Sequence, residues 1–342
     1  MDSVSQLALG ASIGIALMGR RTATWKAALW GGVAGTIPDL DVFLDHGDAV
    51  LNMVLHRGHS HSLVWTSLGG ILLGLLVSRL HNESQHRWRW AAAMLTAMAT
   101  HPLLDALTIY GTQLLQPFSD EAYGVGSMFI IDPLYTLPLL VGVIIAISRA
   151  AHKGLRWNGS LLALSTTYLG WSLLAQGWVT EQVQRSMANQ GLQPQSLLVT
   201  PAPLNTMLWR IVAIEDDHYY EGYYALLDGS RPVLWTKHSR GIHLVEAHRD
   251  HPHVLRMQRF TDGMMRLRID NGNLWLTDLR MGQETAYVFD FDLGPPLTKG
   301  STPTPAIQQS VRLPLRESLG WLWARMWGAD LPAPHTTGIS TS

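Results

Sequence analysis

The sequence predicts an α-helical multi-pass membrane domain followed by a small antiparallel β domain. Apolar runs crowd the first half of the chain. Paired Asp and His residues interrupt those runs. Beyond Thr180, short strand-like segments alternate with turn dipeptides. Whole-chain averages hide this division: 15% charged residues, a formal net charge of -1 and a mean hydropathy of +0.08.

A membrane-crossing helix needs about 17–25 mostly apolar residues. Ser62–Ser78 is apolar, Phe129–Ile147 is broken mainly by Asp132 and Pro133, and Gly159–Val179 carries no charge. Leu7–Gly19 is shorter, Trp25–Leu44 ends in two aspartates, and Trp90–Leu115 contains His101 and Asp105. The expectation is about five or six embedded helices. A soluble helical bundle is the alternative, and the uncharged Gly159–Val179 run argues against it. Leu7–Gly19 followed by Arg20 and Arg21 reads as an anchor or re-entrant helix rather than a cleavable signal.

Lys and Arg collect on the cytoplasmic side of short loops. Arg20, Arg21 and Lys26 fall in one connection, Arg79, Arg87 and Arg89 in a second, and Arg149, Lys153 and Arg156 in a third. In a serpentine chain these share one face, which predicts that this face is cytoplasmic and that the C-terminal region lies outside the cytoplasm. The absence of Cys is compatible with that location.

Residues 1–180 form the expected helical domain, 181–205 a linker, 206–300 the β domain, and 301–342 an amphipathic segment and flexible tail. Glu181–Gly191 is polar and suits a short helix. Met207–Ile214 and Tyr219–Leu227 flank the polar turn Asp216–His218 and suggest a hairpin. Val254–Phe260, Met264–Ile269, Leu274–Leu279 and Tyr287–Phe291 are read as strands. Asp262-Gly263, Asn271-Gly272 and Met281-Gly282 lie between them, and Asp-Gly and Asn-Gly tolerate the positive φ of tight turns. Leu315–Trp327 is amphipathic, with Trp321, Trp323 and Trp327 suited to an interface. The last dozen residues are expected to be loose.

Charge in or near hydrocarbon is costly unless paired or bound to metal. Asp39 and Asp41 follow Pro38, and His56 and His61 can meet across a loop-to-helix junction. His101 and Asp105, four apart, share a helical face. Asp132 opens another apolar run. Helix capping, surface histidines and a buried His-Asp hydrogen bond explain single members, but coincidence of all of them is harder to explain. Asp39, Asp41, His56, His61, His101, Asp105 and Asp132 are therefore the candidate metal ligands.

Gly35-Thr-Ile-Pro-Asp-Leu-Asp41, His56-Arg-Gly-His-Ser-His-Ser62, His101-Pro-Leu-Leu-Asp105 with Thr108-Ile-Tyr-Gly111, and Ile131-Asp-Pro133 together resemble motifs of the bacterial LexA-regulated, membrane-bound metal-dependent hydrolases of the YdjM type. The likeness covers about residues 1–180, and Pro203–Trp209 resembles the extension of longer members. It implies an inner-membrane enzyme distantly similar to the zinc phospholipase C and P1 nuclease group. His59 departs from the expected pattern, where a bulky apolar residue is less surprising.

Imidazole and carboxylate donors suit one to three divalent ions, zinc first, with manganese or iron as alternatives. Such a centre activates water and stabilises charge on a phosphoryl oxygen. Arg57 is the expected phosphate-holding group, unless it snorkels or pairs with Asp45 or Asp48, and Asp105 joins it as a catalytic candidate. The expected substrate is a membrane lipid or lipid-linked phosphate. Nucleic acid is not favoured, and no H-E-x-x-H motif supports peptidase chemistry. Two non-enzymatic alternatives are a structural metal beside a partner-binding β domain, and a metal transporter. Transport calls for polar residues reaching both surfaces, whereas these concentrate toward one.

Overall fold

The structure, a computed structural model, describes residues 1–149, 152–297, 302–311 and 314–332. Among the described residues seven α-helices come first: α1 (Ser3–Met18), α2 (Thr24–Thr36), α3 (Ala49–Leu55), α4 (Leu63–Leu80), α5 (Arg87–Ala106), α6 (Pro133–Ser148) and α7 (His152–Asn189). The chain continues through β1 (Ser196–Pro201), β2 (Leu208–Glu215), β3 (His218–Ala225), β4 (Thr236–Ser239), α8 (Ile242–Ala247), α9 (Pro252–Phe260), β5 (Met265–Asp270) and β6 (Asn273–Asp278). It ends with β7 (Gly282–Gln283), β8 (Ala286–Tyr287), β9 (Asp290–Asp292), β10 (Ile307–Gln309) and α10 (Leu315–Met326). Two compact units result. The first holds Met1–Leu44, Leu55–Leu174 and Pro203–Asn205; the second holds Asp45–Val54, Ala175–Ala202 and the chain from Thr206.

In the first unit α1 and α2 approach through glycines. A Cβ on Gly31 would lie 2.2 Å from the Gly10 carbonyl oxygen, and one on Gly14 would lie 2.2 Å from that of Ala27. The α4 and α5 helices meet as closely, since a Cβ on Gly74 would stand 2.4 Å from Ala91 Cα. Trp90, Met94, Ile15, Met18, Tyr135 and Leu139 fill the core. The first half of α7 is pinned by Asn158 Nδ2 donating to Ser12 O at 3.0 Å and Ser165 Oγ donating to Tyr135 O at 2.8 Å.

The ends of this unit differ in charge. At one end Lys26 lies 3.7 Å from Glu83, and Thr22 donates to Glu83 at 2.7 Å, joining the α1–α2 turn to the α4–α5 turn. At the other end meet the C-termini of α2 and α5, the start of α4 and the adjoining N-termini of α1 and α6. Asp2 N donates to Ile130 O at 2.9 Å there. The basic turns and the Asp/His motifs thus occupy opposite ends.

The expected set of crossings is not borne out. Among the described residues only α4, with 18 residues and a mean hydropathy of 1.7, is long and apolar enough to cross a membrane; α1 and α6 are shorter apolar helices. Trp25–Leu44 divides after Thr36, because Pro38 favours a tight 3-10 turn over Ile37–Phe43. Trp90–Leu115 stops being helical at Ala106, and Arg87 and Arg89 belong to the same helix. Gly159–Val179 lies inside α7 but is diluted by Ser160, Ser165, Thr166, Thr167, Ser172 and Gln176.

The second unit contains two antiparallel four-stranded sheets, β1-β2-β3-β4 and β10-β9-β6-β5, and the β7-β8 ladder. The hairpin expected at 207–227 is β2–β3, in register from Glu215 opposite His218 to Leu208 opposite Ala225. Asn271 and Gly272 adopt φ of +49° and +81° between β5 and β6, the positive pair such a turn requires.

Three expectations are corrected. Val254–Phe260 is helical: Pro252 opens α9, the His251 side chain accepts from His253 N, and Val254, Met257 and Phe260 form a buried face. Asp262-Gly263 consequently closes a helix rather than joining strands. The 181–205 linker contains β1, and Glu181–Gly191 is mostly the continuation of α7. The amphipathic tail segment is α10, where Arg325 pairs with Asp228 and Trp321 packs edge-on to Tyr223 at 4.9 Å. Residues 333–342, expected to be loose, lie outside the described residues.

Asp45–Val54, lying in sequence between the two motifs of the first unit, belongs to the second. Asp48 Oδ2 accepts from Ala306 N at 2.7 Å and stands 3.2 Å from His253 Nε2. Ala49 N donates to Ala306 O at 3.2 Å.

Candidate metal centre

Three local structures supply the donors. The 3-10 turn after α2 completes a turn in three residues, so Asp39 and Asp41, two apart, emerge in different directions. The 3-10 turn His59–His61 aims His61 inward just before α4. On α5 the four-residue spacing sets His101 and Asp105 on one face. His61, His101 and Asp105 are fully buried, and the Asp39 side chain keeps 20% of its exposure.

Asp39, His61, His101 and Asp105 each offer one donor atom, all within 4.8 Å of one another, and could hold a metal ion. His61 Nε2 lies 3.1 Å from His101 Nε2, 3.5 Å from Asp39 Oδ1 and 3.3 Å from Asp105 Oδ2. His101 Nε2 lies 3.3 Å from Asp39 Oδ1 and 3.4 Å from Asp105 Oδ2. Donors about 2.0–2.1 Å from a tetrahedral ion stand about 3.3 Å apart, so these separations fit. Asp105 Oδ2 is buried and makes no well-aligned hydrogen bond, as expected of an oxygen reserved for a cation.

The far side of each donor is held. His61 Nδ1 meets Ser60 Oγ at 2.9 Å and Asp41 Oδ2 at 3.3 Å. His101 Nδ1 donates to Gly35 O at 2.7 Å. With Nδ1 so engaged, each ring turns Nε2 to the centre, the usual support of metal-bound histidine. Asp105 Oδ1 accepts from the Met1 amino group and from Gln6 Nε2, and Arg57 Nη2 stands 3.4 Å away.

The acidic excess appears in the titration of the exposed-end groups. Burial pushes the Asp39 carboxyl up, but hydrogen bonds with His101 and His61 reverse this and hold it well below the ordinary carboxylate range. Asp41 is likewise depressed against burial, by His56, His61 and Ser60. Burial alone lowers His61, yet Asp105, Asp39 and Asp41 raise it to about 10. The pocket attracts positive charge.

Of the seven ligand candidates, four converge. Asp41 instead orients His61 and accepts from His56 Nδ1 at 2.9 Å. His56 is therefore one step removed, with its ring centroid 5.7 Å from that of His61. Asp132 caps α6, accepting from Leu134 N and from the Tyr168 hydroxyl, each at 2.9 Å. The following Pro133 explains that capping role. His59 is exposed and outside the cluster. Arg57 pairs with Asp105 rather than Asp45 or Asp48, donates to Thr108 Oγ1 at 3.1 Å and lies 4.7 Å over the Tyr110 ring. It is buried, and its Nε makes no hydrogen bond.

Sequence reasoning missed Ser60, Gly35 and Gln6 as supports. Ser60 and Gly35 stood inside the motifs, while Gln6 had only its polarity beside an apolar run as a signal.

Residues 1–179 match the YdjM inner membrane protein family. The chain is also similar to the uncharacterized protein YfhP of Bacillus subtilis (strain 168), at 23% identity over 241 residues, 67% of this chain and 71% of that protein. No solved structure matches. The family match spans 179 of 342 residues and includes the whole cluster, and the chain belongs to the YdjM inner membrane protein family.

Proposed function

We propose that this protein is a membrane-bound metal-dependent hydrolase that cleaves a phosphoester in a lipid or lipid-linked substrate. The convergence of His61, His101, Asp39 and Asp105 at tetrahedral spacings carries the reading. Mixed His and Asp donors favour zinc. A divalent ion there would supply Lewis acidity and a bound water of lowered pKa.

The remaining chemistry falls to the chain's own groups. Asp41 accepts from His56 Nδ1, which leaves His56 Nε2 as the base on the partly exposed side of the cluster. Proton removal from an attacking water would be its task. Arg57, fixed by Thr108 and Tyr110, positions Asp105 and offsets its charge. Asp39, the most exposed donor, marks the approach for substrate.

A structural metal is the second reading, because four protein donors can fill a tetrahedron without an open position. Metal content and phosphate release from a lipid panel decide between them. Asp105→Asn should abolish turnover with modest loss of folding under the hydrolase reading. Loss of folding and membrane accumulation together would favour the structural one. Purified protein that holds no metal under replete conditions would sink both.

The basic turns support a cytoplasmic location for their end and an extracytoplasmic one for the metal end. Because the chain lacks Cys, single probes at Glu121 and Gln85 test this. Glu121→Cys should react from outside intact cells and Gln85→Cys should not; the reverse pattern would put the metal end in the cytoplasm.

A further inference from the structure

The residues around the donors are more exposed than their chemistry warrants. Within and just after the 3-10 turn that supplies Asp39 and Asp41, Leu40 is 56% exposed, Val42 65%, Phe43 81% and Leu44 63%. At three residues per turn Leu40 and Phe43 lie one above the other, so the turn carries an apolar ridge. A second projection stands in the loop after α5, where Leu115 is 44% and Phe118 84% exposed. Exposed apolar side chains clustered in this way mark contact with another apolar phase.

Both projections are tied to the same few residues. Arg57 N donates to Asp41 Oδ2 at 3.1 Å, and Ser60 Oγ donates to the same oxygen, which fixes the ridge to the segment before α4. Leu63 N donates to Leu114 O at 3.0 Å, and Ser62 Oγ donates to Gln116 O, which fixes the loop to the first turn of α4. The α4 helix is the described helix able to cross a membrane, and His61 precedes it by two residues. A crossing by α4 would set its first turn at the level of the bilayer boundary. The ridge and the loop meet that boundary directly, which selects lipid over a protein partner as the phase they enter.

We infer that the Leu40/Val42/Phe43/Leu44 ridge and Phe118 insert into the bilayer surface around the mouth of the metal centre, so that the site takes substrates whose apolar part stays in the membrane. This rests on the proposed hydrolase for its catalytic consequence alone. The Asp39 carboxylate would then open at headgroup depth, where a phosphoester is presented without leaving the lipid. A soluble phosphoester would reach the same donors without using the ridge.

Two measurements test it separately. Phe43→Cys carries the sole thiol of the chain, and a nitroxide there in the metal-loaded protein in phosphatidylethanolamine/phosphatidylglycerol vesicles should collide with oxygen rather than with an aqueous nickel chelate. The same label at Asp250 serves as the water-exposed reference. Chelate access at Phe43 equal to that at Asp250 would overturn the insertion whether or not the protein is an enzyme. For the catalytic arm, Phe43→Ser/Leu44→Ser should lower turnover of vesicle phospholipid at least about tenfold, judged against the wild-type protein. Turnover of the dibutanoyl analogue and bound metal should stay near wild type. Equal loss on both substrates would overturn the role in substrate selection. Wild-type protein inactive on both would instead reject the hydrolase, leaving the nitroxide result to stand on its own.

Discussion

His61 and His101 face each other Nε2 to Nε2 at 3.1 Å, while the Nδ1 of each ring is engaged elsewhere. Two such nitrogens cannot both present lone pairs at that distance without a proton or a cation between them. His101→Ala should therefore lower metal affinity by more than about 100-fold, beyond the range of an outer support. Metal analysis after dialysis against a graded chelator gives the answer, and retention equal to wild type would show that the pair holds a proton instead.

Asp41 touches the opposite nitrogen of His61 and also holds His56. Asp41→Asn keeps the shape and removes the charge, so the expected loss of metal affinity is about 10–100-fold. If Asp41 supports His56 as a base, the rate at saturating metal should fall too. An unchanged pH-rate profile at saturating metal would remove that role.

His61 gives the metal-free and metal-bound proteins opposite dependence on pH. Its folded pKa of about 10 stands above the ordinary value of 6.5, so the folded metal-free chain holds a proton that the unfolded chain releases. The stabilisation is complete below 6.5 and is lost as pH rises through about 10. Metal must displace that proton, so apparent metal affinity should rise with pH across the same window. Thermal melts of chelated protein and metal titrations at several pH values check both signs. A metal affinity independent of pH would mean that His61 is already neutral.

The donors were legible because each motif is local. The spacing of His101 and Asp105 specifies one helical face, whereas Asp39 and Asp41, expected to converge after Pro38, are parted by the 3-10 turn there. What spacing cannot specify is which carboxylates meet across the fold. Asp132 has the same composition and setting as a ligand, and its role as a cap follows from Pro133 and from Tyr168, 36 residues away. In the second unit, Val254–Phe260 carried apolar residues compatible with a strand, but the three-residue spacing of Val254, Met257 and Phe260 after Pro252 carried the helix. Counting crossings failed where apolar character outlasted the helix, as in Trp25–Leu44.

Gly31 tests the packing that supports the site. A Cβ there would lie 2.2 Å from Gly10 O, and Gly35 one turn on receives His101 Nδ1. Gly31→Ala should cost about 1–3 kcal/mol through overpacking and loosen metal retention with it. A melting temperature equal to wild type would mean that α1 and α2 separate freely.

The segment joining Asp41 to His56 has a consequence for the order of assembly. Asp48 and Ala49 find their hydrogen-bond partners at His253 and Ala306. During synthesis those partners emerge long after both ligand motifs have been made, so the connection between the motifs must wait for nearly the whole polypeptide. A chain interrupted after the family segment would possess every donor while its connecting strap had nowhere to settle. Settling of the strap is thus tied to residues made about 200 positions later, while the four clustered donors all lie between Asp39 and Asp105.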